Sequence, residues 1–332
     1  MDVDRPPFAD ARRSFVSALA VTLLRPRVVH AQEHRIYRIA MLEAVPAARN
    51  AANLAALRRG LREHGYVEGR NLVIDYRSAD GHADRFPELA AEVVRLGVDL
   101  IIARGTPATS AAKRATQTVP VVMATMGDAH ALVASFAHPG GNVTGLTTFS
   151  TELSAKRIEL LAELVPHLRH VGLLHDMANS AARPEWEETR KAAKALGLDA
   201  ELFDARDAAG VERAFTHARR SAIDALVVGA DGLTQLQLHR IVALANEAHM
   251  PAAYPGRDFV EAGGLIAYGV DYPDLYYRFA SYVDRILEGA RPGDLPVEQP
   301  ARFELVINAG TARKLGLIVP ASLRLRANEV IE

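Results

Sequence analysis

The sequence contains no cysteine among its 332 residues. This absence excludes disulfide bonds, thiolate metal sites, a cysteine nucleophile and anchoring through a lipid-modified cysteine. An excess of charge of one sign is also missing, because 39 Lys and Arg residues against 40 Asp and Glu residues give a formal net charge of -1. Without a basic excess the chain offers no phosphate-binding face, and nucleic acid is not an expected partner.

Short motifs of common catalytic and nucleotide-binding sites are lacking as well. No GxGxxG follows the first predicted strand, and GxxxxGK[ST], HExxH and GxSxG do not occur. The 12 histidines are scattered without the spacing of metal ligands. We therefore expect no catalysis, no cofactor and no metal.

No apolar run is long enough to cross a membrane. The apolar stretch of residues 15–24 is far shorter than the ~20 residues that a bilayer requires. Two arginines precede it, and Val-His-Ala at residues 29–31 follows it as a cleavage site, which is the pattern of an export signal. We predict that residues 1–31 are this signal and that the mature protein is periplasmic, soluble and not a lipoprotein.

The remaining chain alternates between predicted strands and predicted helices. Its length favours two domains, and a βαβ series predicts parallel sheets with helices on both faces. The predicted strands of the first half are YRIAML, NLVIDYR, VDLIIA, VPVVMA and GNVTGLTT, and those of the second half are HVGLLH, DAELFDA, IDALVVG, MPAAYP and GGLIAYG.

The two halves repeat each other. Gly65 and Gly197 end corresponding helices, and Pro120 and Pro251 precede corresponding strands. The sequence therefore predicts an α/β fold of two similar, doubly wound, parallel-sheet lobes joined by three crossing strands. The predicted N-terminal lobe comprises residues 36–147 plus 268–298, and the predicted C-terminal lobe comprises residues 148–267 plus 299–332.

One pair of corresponding junctions is the leading candidate for a binding site. DLIIARGT ends a strand at Gly105 and Thr106, and DALVVGADG ends the equivalent strand before Asp231. Ligands of open parallel sheets bind beyond the carboxyl ends of the strands, where helix N-termini attract anions. We expect a ligand carboxylate at Gly105 and Thr106 and a ligand ammonium at Asp231, although Thr106 is equally compatible with simple helix capping.

Other strand ends supply further candidates. Acids there can accept an ammonium or amide, and tyrosines can stack on apolar bulk, although capping and core packing are alternatives for both residue types. These candidate ligand-binding residues are Asp128, Tyr254, Tyr268 and Asp271, and Asp176 and Asn179 stand at a further strand end.

Several long stretches resemble one protein family. They are GLREHGYVEGRNLVIDYRSADG, DRFPELAAEVVRLGVDLIIARGTPATSAAKRATQTVPVVM, ALVASFAHPGGNVTGLTTFSTELSAKRIELLAELVP, RDFVEAGGLIAYG and GDLPVEQPARFELVINAGTARKLGLIVP. They resemble the ABC transporter substrate-binding proteins of the tryptophan/tyrosine-binding type. The resemblance implies a type I periplasmic-binding-protein fold and two lobes that close on a small ligand. It also implies delivery of that ligand to an inner-membrane ABC permease with its ATPase.

The sequence thus predicts an exported solute-binding receptor of an ABC importer. Its expected ligand bears a carboxylate, with an aromatic or branched amino acid as the leading candidate. Two alternatives share the scaffold: the effector-binding domain of a LacI-like regulator, and a racemase-like enzyme that uses acids at the strand ends.

Overall fold

The structure is a computed structural model that describes residues 35–126, 131–148, 150–300 and 302–332. The predicted export signal and Asp128 lie outside the described residues. In chain order the elements are β1 (Tyr37–Glu43), α1 (Ala51–Glu63), β2 (Leu72–Ser78), α2 (Phe86–Arg95), β3 (Leu100–Arg104), α3 (Gly105–Ala115), β4 (Val121–Met126), β5 (Val143–Thr147), α4 (Ser150–Leu164), β6 (His170–His175), α5 (Ala182–Ala195), β7 (Asp199–Asp204), α6 (Ala208–Arg220), β8 (Ala225–Val228), α7 (Gly232–Leu236), α8 (Leu238–Glu247), β9 (Ala252–Tyr254), α9 (Arg257–Glu261), β10 (Ile266–Val270), α10 (Tyr272–Leu287), β11 (Phe303–Asn308), α11 (Ala309–Lys314), α12 (Ala321–Arg326) and β12 (Glu329–Ile331).

The strands form two sheets, each the centre of one lobe. The sheet of the first lobe has the order β2-β1-β3-β4-β5, and its neighbouring strands are all parallel. The sheet of the second lobe has the order β12-β11-β10-β9-β8-β6-β7. The prediction of an α/β fold with two parallel-sheet lobes is confirmed.

The internal repeat seen in the sequence reappears in the strand order. The series β7-β6-β8-β9-β10 repeats the series β2-β1-β3-β4-β5, so β8 occupies in the second lobe the place that β3 occupies in the first. The second lobe departs from a purely parallel sheet only beyond this repeat, where β11 runs antiparallel to β10. The chain reaches β11 from the first lobe, so β11 starts at the end of the sheet where β10 finishes. It therefore runs in the direction opposite to β10.

Helix α10 follows β10 in sequence but packs on the first lobe. Its apolar side chains lie against α1, whose buried Leu54, Leu57 and Leu61 have the predicted helical spacing. The two helices approach closely at Gly60, where an added Cβ would lie 2.7 Å from the Cβ of Ala280. Residues 145–147 and Glu298 then exchange backbone hydrogen bonds, so the chain returns beside β5 before it enters β11.

One predicted helix is divided in two. The sequence predicts a continuous helix over residues 234–249, whereas the structure has α7 and α8 with a break at Gln237, whose backbone (φ -92°, ψ 12°) leaves helical geometry. The short helix α7 thereby becomes a separate element at the end of β8, next to the cleft described below.

Candidate functional site

A cleft lies between the lobes at the carboxyl ends of their strands. It contains about 850 Å³ of empty space, part of which is open to solvent. The first lobe contributes Ala44, Val45, Gly81, Ala83, Phe86, Arg104, Gly105, Thr106 and Pro107, and the second contributes Asp176, Asn179, Ala181, Ala230, Asp231, Gly232, Leu233, Gln235 and Pro255. Thr148, just after β5, and Tyr272, the first residue of α10, complete the lining.

The N-terminus of α3 forms part of the first lobe's wall. Gly105 adopts a φ of +81°, a conformation that other residues rarely adopt, and so turns the chain directly from β3 into the helix. No side chain caps this helix, and the hydroxyl oxygen of Thr106 is buried with no hydrogen-bond partner among the described residues. The first turn of α3 therefore presents unpaired donors and a partial positive charge to the cleft.

Arg104 adds a full positive charge beside this helix end. Its guanidinium lies 5.0 Å from the centre of the Tyr272 ring, and its Nη1 donates to Oδ1 of Asn50 at 3.3 Å. Behind it the buried Glu43 lies 3.8 Å away and accepts a 2.6 Å hydrogen bond from the Tyr276 hydroxyl. Burial raises the pKa of Glu43, although Arg104 and Tyr276 oppose the shift.

The opposite wall places Asp231 differently from the prediction. Its main chain borders the cleft, but its side chain is only 2% exposed and lies 2.8 Å from Nδ1 of His175. Its carboxylate also accepts the backbone N–H groups of Thr234 at 2.7 Å and Asp176 at 3.0 Å. Burial opposes ionisation of Asp231, but His175 and these donors hold its pKa below the ordinary value. The carboxylate therefore caps α7 and pairs with a histidine, and this leaves it turned away from a ligand.

Asp176 is the acid of this wall whose carboxylate can still accept hydrogen bonds from a ligand. Its Oδ1 accepts the N–H of Ala178 at 2.9 Å, and in the described part of the chain no donor reaches Oδ2. Burial raises the pKa of the Asp176 carboxyl. Asn179 lies beside it, and its Oδ1 accepts the N–H of Ala181 at 3.0 Å, while its amide N–H groups meet no acceptor among the described residues. A free carboxylate oxygen and a free amide thus border the cleft opposite α3.

The other predicted residues lie away from the cleft lining. Tyr254 is 1% exposed and stacks on Phe259 in the core of the second lobe at 5.1 Å, because the whole of β9 is buried. Tyr268 lies within β10, and its ring packs on Phe303. Asp271 caps α10 by accepting the N–H of Asp274 at 3.0 Å. These three side chains support the fold, and Gly105 and Thr106, together with the main chain of Asp231, remain as the predicted residues that line the cleft.

Sequence reasoning missed Arg104 and Tyr272, and it named Asp176 only as one of several acids at strand ends. Arg104 is a charged residue at the last position of an otherwise fully buried strand, which is an available signal for a functional residue. Tyr272 comes one residue after the predicted Asp271, where the chain leaves β10. Asp176 follows β6 directly, and the choice of Asp231 over it depended on the repeat alone.

Two facing lobes, parallel sheets and a cleft at the strand ends define a two-lobed binding protein. Residues 38–331 match the family described as ABC transporter substrate binding protein, and the chain belongs to this family. The predictions of a substrate-binding protein of an ABC transporter and of a non-catalytic function are therefore confirmed.

Individual relatives agree with this assignment. A tyrosine-binding protein of Clostridioides difficile (strain R20291) is 28% identical over 261 residues, which cover 78% of this chain and 75% of the relative. A conserved domain protein from Vibrio cholerae O1 biovar El Tor has 28% identity and a TM-score of 0.84, over 89% of this chain and 100% of that one. The ABC domain in complex with L-Trp from Streptococcus pneumoniae has 27% identity and a TM-score of 0.81, with the same coverage.

The described residues contain neither a helix long and apolar enough to cross a membrane nor a cluster of His, Cys, Asp or Glu side chains suited to a metal ion.

Proposed function

We propose that this chain is the exported receptor of an ABC importer and that its ligand is an aromatic amino acid. One of the similar proteins is named a tyrosine-binding protein, and another is in complex with L-Trp. The observation that carries the proposal for this chain is the opposite polarity of the two walls of its cleft.

The wall of the first lobe suits a carboxylate. The uncapped start of α3, the unpartnered hydroxyl of Thr106 and the guanidinium of Arg104 all offer donors or positive charge. The same features repel a cation.

The wall of the second lobe suits an ammonium group. Asp231 is already paired with His175. The ligand's amino group therefore pairs with Asp176, and the amide of Asn179 lies beside it. A cation at Asp176 would also offset the burial that raises the pKa of this carboxyl. An α-amino acid carries both charges on one carbon and so joins the two walls.

Apolar surface between the walls suits an aromatic side chain. Phe86, Pro107, Leu233 and the ring of Tyr272 line the cleft.

We further propose the surroundings in which the receptor works. Residues 1–31 would direct export to the periplasm, and an inner-membrane permease with its ATPase would receive the ligand. The closing bodies would be residues 36–147 plus 268–298 and residues 148–267 plus 299–332.

Isothermal titration calorimetry with a matched ligand set tests the proposal. We expect L-Trp, L-Tyr or L-Phe to bind with micromolar affinity or better. Tryptamine lacks the carboxylate and indole-3-propionate lacks the amino group, and both should bind at least about thirty-fold more weakly because each leaves one charged wall unpaired. Equal binding of L-Trp and tryptamine would contradict the carboxylate assignment. Failure of all three amino acids would contradict the ligand class.

A further inference from the structure

A chain of buried charges runs through the second lobe behind the acidic wall. Each member has a side-chain exposure of 2% or less. We call it the buried charge network, and its members are Asp231, His175, Glu185 and Arg157.

The imidazole of His175 is the centre of this network. Its Nδ1 lies 2.8 Å from the Asp231 carboxylate, and its Nε2 lies 3.1 Å from the Glu185 carboxylate. The local backbone leaves room for the ring, because an added Cβ at Gly229 would lie 2.1 Å from the ring carbon Cδ2 of His175. The end of β8 is therefore shaped around the imidazole.

The network continues from Glu185 to β10. Ser154 donates to the Glu185 carboxylate and accepts from Nη1 of Arg157 at 2.9 Å. The Nε of Arg157 donates to the carbonyl of Tyr268 at 2.9 Å. Arg157 lies on α4, the first helix after the chain leaves the first lobe, and Tyr268 lies on β10, the last strand before it goes back. The network thus links α4, by which the chain enters the second lobe, to β10, from which it leaves that lobe.

The other end of the network supports the ligand-facing loop of residues 176–179. The Asp231 oxygen that faces His175 also accepts the backbone N–H of Asp176 at 3.0 Å. With His175 protonated, the network has two positive and two negative charges and is neutral. Asp176 is then left as the uncompensated charge of this wall.

We infer that His175 is a positioning residue, and that the buried charge network holds the 176–179 loop in place at the cleft and fastens it to β10. The ligand-binding test of this inference rests on the proposed function, whereas the hydrogen-exchange test does not. The charged groups around His175 come from four elements: Asp231 at the start of α7, Glu185 on α5, Asp176 after β6, and Arg157 on α4 beyond Glu185.

The test removes one charge and keeps the shape. Glu185→Gln retains the size of the side chain but leaves His175 with one carboxylate. Amide hydrogen exchange of the ligand-free protein should become at least about tenfold faster in residues 176–181 and in β10. The matched control is Glu201→Gln, the same change in an acid of this lobe that also faces histidines, at 3.6 Å from His170 and 3.3 Å from His217, but belongs to β7. The control should exchange as the wild type does in both segments.

Ligand binding provides a second readout. With L-Trp as the probe, we expect Glu185→Gln to weaken binding at least about tenfold. We also expect binding to the variant to change between pH 6 and pH 9, where binding to the wild type stays flat, because His175 loses its proton more easily once one carboxylate is gone.

The outcomes separate the two proposals. Unchanged exchange in residues 176–181 of Glu185→Gln would overturn the positioning role, as would exchange accelerated equally throughout the second lobe. If Glu185→Gln does not fold, Ser154→Ala breaks the same network next to Arg157 and is expected to accelerate exchange in the same two segments. Should the wild type bind no L-Trp, the proposed function fails while the exchange measurement still decides this inference.

Discussion

At the scale of single residues, the two acids of the second lobe's wall differ in what surrounds them. The Asp231 carboxylate pairs with His175 and accepts two backbone N–H groups, whereas one oxygen of Asp176 accepts no hydrogen bond from the described residues. A sequence shows that an acid follows a strand, but it does not show that the acid forms an ion pair with a histidine at the end of the neighbouring strand. The choice between Asp231 and Asp176 therefore required the structure.

Asp176→Asn should separate ligand binding from stability. We expect L-Trp binding to weaken roughly thirty-fold or more, because loss of one partner of a desolvated charge pair costs ~2 to 5 kcal/mol. The free energy of unfolding should change little. Asp231→Asn should show its main effect in urea denaturation, because it removes a helix cap and a partner of His175. If Asp231→Asn weakens binding more than Asp176→Asn without loss of stability, the assignment of the ammonium site is wrong.

His175 should make stability depend on pH. Burial alone would lower its pKa, but Asp231 and Glu185 raise it to about 10 from an ordinary value of about 6.5. The folded state therefore holds a proton that the unfolded state releases, so this contribution to stability is fully present below about pH 6.5 and is lost as pH rises toward 10. The difference in unfolding free energy between wild type and His175→Gln should shrink across this range in urea titrations. A difference that stays constant from pH 6 to pH 9.5 would show that His175 is neutral in the folded protein.

At the scale of elements, we propose that the start of α3 acts as an anion site, because nothing in the described chain caps it. Thr106→Val keeps the shape of the side chain and removes the hydroxyl. Hydrogen bonds to charged groups contribute ~1.5 to 3 kcal/mol, so calorimetry should show L-Trp binding weakened about tenfold or more.

Thr189→Val is the matched control for this change. Thr189 lies on α5 and, like Thr106, has a buried hydroxyl with no partner among the described residues, but it does not line the cleft. Its replacement should leave the affinity for L-Trp unchanged. Similar losses in the two variants would mean that Thr106 affects binding only through the fold.

The elements themselves were largely predictable, because their signals are local. Strand β6 has the predicted residues His170 to His175, and the leucines of α1 have the spacing of one buried face. Side-chain direction at the strand ends was less predictable. A tyrosine at the end of a buried strand can point into the core or into the cleft, and Tyr254 points into the core while Tyr272, just past β10, reaches the cleft.

At the scale of the whole molecule, the two lobes touch along α7, and two of the contacts there involve glycine. An added Cβ at Gly232, the first residue of α7, would lie 2.5 Å from the Cβ of Ala44 in the first lobe. An added Cβ at Gly81 of the first lobe would lie 2.8 Å from the side chain of Leu236, the last residue of α7. Helix α7 thus meets the first lobe at both of its ends, and glycine at these positions lets the lobes approach closely.

Gly232→Ala should therefore hold the lobes apart without unfolding either of them. The backbone of Gly232 does not have a positive φ, so alanine fits locally, and the clash arises only when the lobes are together. We expect L-Trp binding to weaken about tenfold, which corresponds to ~1.4 kcal/mol. In solution scattering with saturating L-Trp, the radius of gyration should stay larger than that of the wild-type complex.

A second substitution should reverse this effect and so tests its cause. Ala44→Gly removes the atom that the new Cβ would meet and leaves the Cα of residue 44 at 3.7 Å, which is an ordinary contact. The double variant Ala44→Gly/Gly232→Ala should recover both the affinity and the smaller radius of gyration. Gly141→Ala is the control, because nothing lies within 4 Å of its added Cβ, and it should behave as the wild type. If the double variant binds as weakly as Gly232→Ala alone, the loss does not come from contact between the lobes, and closure through α7 is the wrong account of how this protein retains its ligand.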